Sequence, residues 1–233
     1  MKYLISLILG MVVGVAAFLA LLYYNPMTAQ NKLSPLSVSD NDVITFNFSA
    51  VATDTLVYTN DGESNVTPHP VKVLQLWEPT VRRTDAMATV LRDGRNQAAA
   101  IGIKFSSDSE RTNILNSEAI VDSVWHIYVP GQGSLFIEQQ ENFWSYLREI
   151  VIPAHWSSAN NWRGSWSGNT TSGPGALDTA RVVGGSGVFA GLETGGVESL
   201  NAKAYAVEGG AVAMDGKLAI ELPRSDEELT PDP

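Results

Sequence analysis

The sequence of 233 residues contains no cysteine. Without thiols the chain has no disulfide, no acylated lipoprotein cysteine, no zinc-thiolate site and no cysteine nucleophile. Exported domains often use disulfides for stability. A domain exported from this chain must therefore be held together by packing and hydrogen bonding alone.

Basic residues and histidines are also scarce. The chain has 15 Lys and Arg against 25 Asp and Glu, a net charge of −10, and three histidines. Nucleic acids and anionic lipid headgroups attract clustered Lys and Arg, so neither is an expected partner. His69 and His155 have no second histidine or carboxylate at ligand spacing, so we expect no metal site.

Charge is absent altogether from the 21 residues between Leu4 and Tyr24. A helix rises about 1.5 Å per residue, so this stretch spans the roughly 30 Å hydrocarbon core of a bilayer. The alternative is a cleaved secretory signal, whose apolar core is usually about 7–15 residues and ends at a small-residue site. Here the run is longer and Tyr23, Tyr24 and Pro26 follow it, which favours an uncleaved signal anchor over residues 1–24.

The orientation of this predicted transmembrane helix follows from its flanking charges. Lys2 precedes the span, and the next basic residue along the chain is Lys32. The positive-inside rule therefore places the N-terminus in the cytoplasm and the remainder in the periplasm or extracellular space. Tyr23 and Tyr24 fit the aromatic belt where a helix leaves the membrane.

Composition divides the rest of the chain into three parts. Residues 25–42 are rich in Ser, Asn, Gln and Pro and are predicted to be a linker. Residues 224–233 form an acidic tail with the composition of a disordered segment. Residues 43–223 have the length of a single domain.

Period-two alternation dominates residues 43–223. Ile44, Phe46 and Phe48 alternate with polar residues, as in a half-buried strand. Glycine-containing turns separate such runs, at Asn60–Gly62, Asp93–Gly94, Pro130–Gly133, Glu208–Gly210 and Asp215–Gly216. Many short strands joined by such turns predict an all-β domain, a closed antiparallel barrel or a sandwich.

Individual elements can be placed within this pattern. The clearest hairpin joins Val124–Val129 to Ser134–Gln140, and Lys217–Leu222 is the predicted last strand. The capping box Ser107–Glu110 predicts the start of a short helix. Apolar residues at helical spacing predict a second short helix over Asn142–Ile152, ending before Pro153 and packed on one end of the barrel.

The densest glycine cluster is Val182–Gly191, with sequence VVGGSGVFAG. No helix pattern and no Lys-Ser/Thr follows it, so a nucleotide cofactor is not expected. Such glycines permit the sharp bends of a closed sheet, with one large side chain plugging the core. The structural glycine motif consists of Gly184, Gly185, Gly187, Phe189 and Gly191.

This motif resembles the GG-S/T-G-x-F-x-G segment of the allene oxide cyclase and dirigent proteins. The resemblance is specific over about ten residues and extends in style to the Trp125–Phe136 hairpin. It implies an eight-stranded antiparallel barrel, preceded here by the transmembrane helix, with an apolar cavity for a small hydrophobic ligand. No catalytic residue of that family is carried over, so any catalytic residue of this chain remains unknown.

Alternation along the central hairpin defines two faces. One is purely apolar; the other mixes an imidazole, a phenol and a carboxylate, as a general acid/base pocket would need. This mixture is equally typical of an outward, solvated face, the default for antiparallel sheets. The residues that would line a cavity in the first interpretation are His126, Tyr128, Phe136, Glu138 and Gln140.

Three functions are compatible with these features. The leading hypothesis is a membrane-tethered barrel that binds a hydrophobic small molecule or docks on a membrane-protein partner. The second is an isomerase or cyclase that acts on a reactive apolar substrate, with Glu138 and Tyr128 as the first residues to test. The third is a structural subunit or homo-oligomer assembled through its helix, since Gly10 and Gly14 form a Gly-x-x-x-Gly pair.

Overall fold

The computed structural model describes residues 2–23, 42–51, 55–59, 84–171 and 180–222. The predicted turn at Asn60–Gly62, His69, most of the linker and the acidic tail lie outside the described residues. An N-terminal helix, α1, covers Lys2–Tyr23. Ten strands form one sheet: β1 Asp42–Ser49, β2 Thr55–Thr59, β3 Thr84–Arg92, β4 Ala98–Asp108, β5 Ile120–Val129, β6 Gly133–Asn142, β7 Asn161–Asn169, β8 Ala180–Gly187, β9 Thr194–Ala206 and β10 Gly210–Leu222.

The hydrogen bonds of this antiparallel sheet run in a ring. The strand order is β1, β10, β9, β8, β6, β5, β4, β3, and one further pair, Asn47 with Arg92, returns from β3 to β1. β2 pairs with the other half of the same edge of β3, and β7 pairs with β9 where β9 extends past β8. The prediction of an all-β antiparallel domain is confirmed.

The apolar face of the central hairpin fills the inside of the ring. β5 and β6 form the predicted hairpin, in which Trp125 lies opposite Ile137 and Ile127 opposite Leu135, and all four side chains are fully buried. β1 contributes the predicted alternation through buried Phe46 and Phe48. Burying each such side chain contributes roughly 1.5–3 kcal/mol, so this packed interior is the main source of stability.

The predicted turn at Asp215–Gly216 is wrong. β10 continues through it from Gly210 to Leu222, and Gly216 lies opposite Phe48 of β1. A Cβ at position 216 would collide with the Phe48 ring. The glycine therefore leaves room for an aromatic side chain within the sheet instead of reversing the chain.

The helix predicted before Pro153 is present and longer than expected. It starts as α2, Trp144–Tyr146, continues as a π-helical turn, Leu147–Val151, and ends as α3, Ile152–Trp156. Pro153 is the second residue of α3, directly after the π-helical turn, and does not end the helix. Buried Trp144, Ile150 and Ala154 attach this helical segment to the sheet.

The helix start predicted at Ser107–Glu110 is wrong. Ser107 and Asp108 belong to β4, and the chain forms only a 3₁₀ turn further on, Ile114–Asn116. The Asn113 side chain caps that turn by accepting a hydrogen bond from the Leu115 amide at 3.1 Å. Cross-strand pairing of Ser107 with Asp122 therefore outweighs the local capping signal.

The glycine motif lies where β8 ends beside the β5–β6 turn. Gly187 has φ +64°, and a Cβ there would collide with the carbonyl oxygen of Gln132. A Cβ at position 185 would collide with the Ser134 backbone and with Phe189. The Phe189 side chain is buried in the core. Close backbone approach thus requires glycine at positions 185 and 187.

Helix α1 stands apart from this core. Its Tyr3–Leu21 stretch, with a mean hydropathy of 2.7, is long and apolar enough to cross a membrane and is not buried. A helix of this kind serves either as an anchor or as a signal sequence. Its last residue, Tyr23, contacts the helical segment: the hydroxyl donates to the Arg148 carbonyl oxygen at 3.4 Å, and the ring stacks on Trp156.

Candidate functional site

The five residues predicted to line a cavity lie on the outer face of the ring. His126 stacks on Phe136 there, with ring centroids 4.6 Å apart, and the Tyr128 side chain is 51% exposed. Glu138 is exposed and Gln140 half-buried. Packing is the reason. Successive side chains of a strand point to opposite faces, and the core takes the face that carries Trp125, Ile127, Leu135 and Ile137.

The inside of the ring instead holds a buried charge cluster of Lys104, Glu141 and Glu198. The Lys104 Nζ lies 2.7 Å from Glu141 Oε2 and 2.7 Å from Glu198 Oε1. The three side chains come from β4, β6 and β9 and are at most 8% exposed. Charged groups this deep are costly to desolvate and persist only when they are paired and hydrogen-bonded.

Neutral side chains complete the charge cluster. Trp125 Nε1 donates to Glu198 Oε2 at 2.8 Å, and the Gln139 amide donates to the same oxygen. Ser123 Oγ donates to Glu141 Oε2 at 2.7 Å. The ammonium of Lys104 also lies 5.5 Å from the Trp125 ring centroid, within cation–π range. These contacts fix both carboxylates in place.

The backbone around Glu198 is held by the segment that follows β7. The Thr170 amide donates to the Glu198 carbonyl oxygen at 3.0 Å, and the Glu198 amide donates to Thr171 Oγ1 at 2.8 Å. The Asn142 amide donates to the Thr170 carbonyl oxygen at 2.7 Å. Thr170 and Thr171 thereby connect the end of β6 to β9 beside the charge cluster.

The surroundings of the charge cluster raise the pKa values of Glu198 and Lys104. Burial raises the pKa of Glu198, the charge of Glu141 raises it further, and the contacts with Lys104 and Trp125 lower it by less. Burial alone would lower the pKa of Lys104. The charges and hydrogen bonds of Glu141 and Glu198 raise it by more, so the pKa lies above its usual 10.5.

Two buried oxygens of the cluster remain unsatisfied. Glu141 Oε1 and Gln139 Oε1 accept no hydrogen bond from any residue in the described part of the chain. Within that same part, no group of three His, Asp or Glu side chains is arranged to hold a metal ion. The arrangement therefore suits a structural network of paired and hydrogen-bonded charges.

Glu198 makes stability depend on pH. Its folded pKa lies above the unfolded value of 4.5, so its contribution is fully present below pH 4.5 and is lost as pH rises through the folded pKa. We expect the free energy of unfolding of the wild type to fall relative to Glu198→Gln over that range. Denaturant titrations of both proteins at a series of pH values measure this difference. A free energy of unfolding of the wild type that rises relative to that of Glu198→Gln as the pH increases would contradict the assignment.

A groove of about 500 Å³ lies on the outer face. Its floor is a row of cross-strand neighbours, Phe105, Val124, Glu138 and Arg181. Gln140 borders it and accepts a hydrogen bond from Arg111 at 2.9 Å. The two predicted residues Glu138 and Gln140 thus meet in a groove with mixed charge that is open to solvent.

A second concavity, here called the mouth recess, lies at the end of the ring where the β3–β4 and β5–β6 turns meet. It has a volume of about 350 Å³. Its floor contains the buried side chains of Phe46, Val129 and Phe189, and Asp93 and Gln132 are among the polar residues around it. An apolar floor with a few polar groups is typical of small-molecule sites, which occur in the mouths of β-barrels.

Sequence reasoning missed the charge cluster, although a signal was present. Gln139 and Glu141 share the parity of Leu135 and Ile137 on β6, and Ser123 shares that of Trp125 on β5. Extending the apolar face by two residues along β5 and by four along β6 brings these polar side chains into the interior. Nothing local distinguishes Lys104 or Glu198 from surface charges, because their partners are distant in sequence.

Comparison with known proteins gives little beyond this geometry. No protein-family model and no curated protein matches the sequence. Among solved structures, the chain is similar to the pterocarpan synthase dirigent protein PsPTS1, with 12% identity and a TM-score of 0.41 over 80% of this chain and 98% of that one. A likeness of this degree transfers no activity to this chain.

Proposed function

We propose that this protein is a single-pass membrane-anchored β-barrel of dirigent type that binds a small hydrophobic molecule in its mouth recess. Its N-terminus lies in the cytoplasm and its barrel in the periplasm or extracellular space. The observation that carries this proposal is the recess itself, with Phe46, Val129 and Phe189 as its apolar floor.

The packed interior supports a site at the mouth. Trp125, Leu91, Leu135 and Leu218 are completely buried inside the ring, and the buried charge cluster packs against Trp125. A ligand inside would have to displace these side chains, each of which contributes roughly 1.5–3 kcal/mol by burial. A ligand in the mouth recess displaces only solvent.

The same features favour binding over catalysis. An isomerase or cyclase would need an acid or base beside an enclosed substrate. Glu138 and Tyr128 face outward, and the carboxylates of Glu141 and Glu198 are engaged by Lys104. The recess carries Asp93, whose Oδ1 already accepts hydrogen bonds from the Arg95 and Gln97 amides at 2.9 Å.

Binding to the recess can be measured with 4-fluorobenzyl alcohol, a water-soluble apolar probe. At about 0.3 kcal/mol per atom, its roughly nine heavy atoms give a dissociation constant in the millimolar range. We therefore expect broadening of the ¹⁹F resonance by the full chain in nanodiscs, beyond that caused by empty nanodiscs. Ala99→Glu, which places a carboxylate in the recess, should remove the excess.

Ala159→Glu provides the matched control. Ala159 is exposed in the turn after α3, so the same added charge leaves the recess unchanged. Retained broadening in this variant together with loss in Ala99→Glu supports the proposed site. Equal broadening in both variants, or none above empty nanodiscs, would rule it out.

A further inference from the structure

The depth of the domain relative to the bilayer follows from α1, provided that α1 is the membrane anchor proposed above. Tyr3–Leu21 has 19 residues, which at about 1.5 Å each span the hydrocarbon core. Tyr23 follows two residues later, roughly 3 Å further along the helix. Its ring therefore lies at the level of the lipid headgroups, where tyrosine is enriched.

The contacts of Tyr23 transfer this depth to the helical segment. The ring centroids of Tyr23 and Trp156 are 6.2 Å apart, and the Tyr23 hydroxyl donates to the Arg148 carbonyl oxygen. Trp156 and the π-helical turn must therefore lie within a few ångströms of the same level. They are a part of the domain that α1 touches on emerging from the membrane.

The exposure of Trp156 is unusual among the tryptophans that the structure describes. Its side chain is 78% exposed, whereas Trp125, Trp144 and Trp166 are at most 9% exposed. Indole combines a large apolar surface with one hydrogen-bond donor, which suits the boundary between headgroups and acyl chains. Contact with lipid would remove this apolar ring from water.

The charges near Trp156 indicate which kind of lipid surface fits. Arg148 is paired with Glu149 at 2.6 Å, so this pair adds no net charge. The whole chain carries −10, which disfavours an anionic surface. A zwitterionic surface of the phosphatidylcholine type needs no cationic patch and is the matching partner.

We propose that the helical segment Trp144–Trp156 rests on the bilayer as an interfacial contact, with Trp156 inserted among zwitterionic headgroups and the mouth recess turned away from the membrane. β6 separates the two ends: the helical segment follows Asn142, whereas Gly133 pairs with Gly187 beside the recess. Its ten residues extend about 33 Å. The recess would then open toward the aqueous compartment.

The absence of cysteine permits a direct test with single spin labels. The full chain is reconstituted in phosphatidylcholine nanodiscs as Val12→Cys in α1, Ser158→Cys beside Trp156, or Val188→Cys beside the recess, each carrying a nitroxide. Collision with oxygen and with a water-soluble nickel chelate reports depth. We expect acyl-chain depth at position 12, headgroup depth at 158 and full aqueous exposure at 188.

A second substitution isolates the role of Trp156. In the Ser158→Cys background, Trp156→Ala should raise nickel accessibility several-fold, whereas Trp156→Tyr should preserve the headgroup depth. The label at position 188 should not respond to either change. This pattern requires a contact with lipid and would not arise from a purely structural tryptophan.

The outcomes separate the two proposals. Lipid depth at position 12 with the same aqueous accessibility at 158 and 188 would overturn the interfacial contact and leave the anchor standing. Aqueous accessibility at position 12 would overturn the anchor itself. Headgroup depth at 158 that is insensitive to Trp156→Ala would also refute the assigned role of Trp156.

Discussion

Lys104→Met should destabilise the domain by about 3–5 kcal/mol, the usual cost of removing one partner from a buried ion pair. Methionine fills a similar volume but leaves Glu141 and Glu198 without the cation that lies 2.7 Å from each. The loss should be smaller at low pH, because burial raises the pKa of Glu198 and its protonation removes one of the two buried negative charges. Guanidinium titration of the full chain in nanodiscs, followed by tryptophan fluorescence, measures the change.

A neutral version of the cluster is the control for this prediction. Combining Lys104→Met with Glu141→Gln and Glu198→Gln removes every charge while keeping side chains of similar size. Because no uncompensated charge is then buried, most of the lost stability should return. A single Lys104→Met variant within about 1 kcal/mol of wild type would instead indicate that the carboxylates are hydrated.

Gly187→Ala should be the most damaging alanine substitution in the glycine motif, costing about 2–5 kcal/mol. Two effects combine at this position. The backbone is left-handed, at φ +64°, and the added methyl would collide with the Gln132 carbonyl oxygen. Relief requires the β5–β6 turn and the end of β8 to separate. Denaturant titration under the same conditions measures the loss.

Gly191→Ala separates these two effects. Its φ of +73° is similar, but no atom lies within 4 Å of the added Cβ. Only the left-handed backbone is penalised, at about 1–2 kcal/mol. Equal losses in the two variants would mean that the backbone angle alone accounts for the glycine requirement and that close approach to Gln132 is unimportant.

Local patterns in the sequence predicted the parts of the fold that depend on local chemistry. The β5–β6 hairpin follows from alternation on both sides of the turn Pro130–Gly133, and β1 from the spacing of Phe46 and Phe48. Gly216 was misassigned because a glycine beside an aspartate is a turn signal, whereas here it accommodates a ring from a neighbouring strand. That ring is 168 positions away in the chain, beyond the reach of any local pattern.

The candidate sites were less accessible to prediction for the same reason. The division of the central hairpin into two alternating faces was predicted correctly. Which of the two faces turns inward depends on the strands packed across the ring. Lys104 and Glu198 are 94 residues apart, and each resembles a surface charge in its own segment. The mouth recess combines residues of β1, β4, β5, two turns and the chain after β8, so only the assembled ring defines it.

The return of the ring from β3 to β1 gives the sheet a weak seam. One residue pair, Asn47 with Arg92, joins these strands there, supported by side-chain hydrogen bonds from Asn47 to the Asp93 carbonyl oxygen at 3.3 Å and from Thr89 to that of Ser49 at 3.4 Å. By contrast, β5 and β6 are joined over ten residue pairs. Amide hydrogen exchange should therefore be faster along this seam than along the β5–β6 hairpin, and opening of the seam should expose Phe48 to water while that hairpin remains protected.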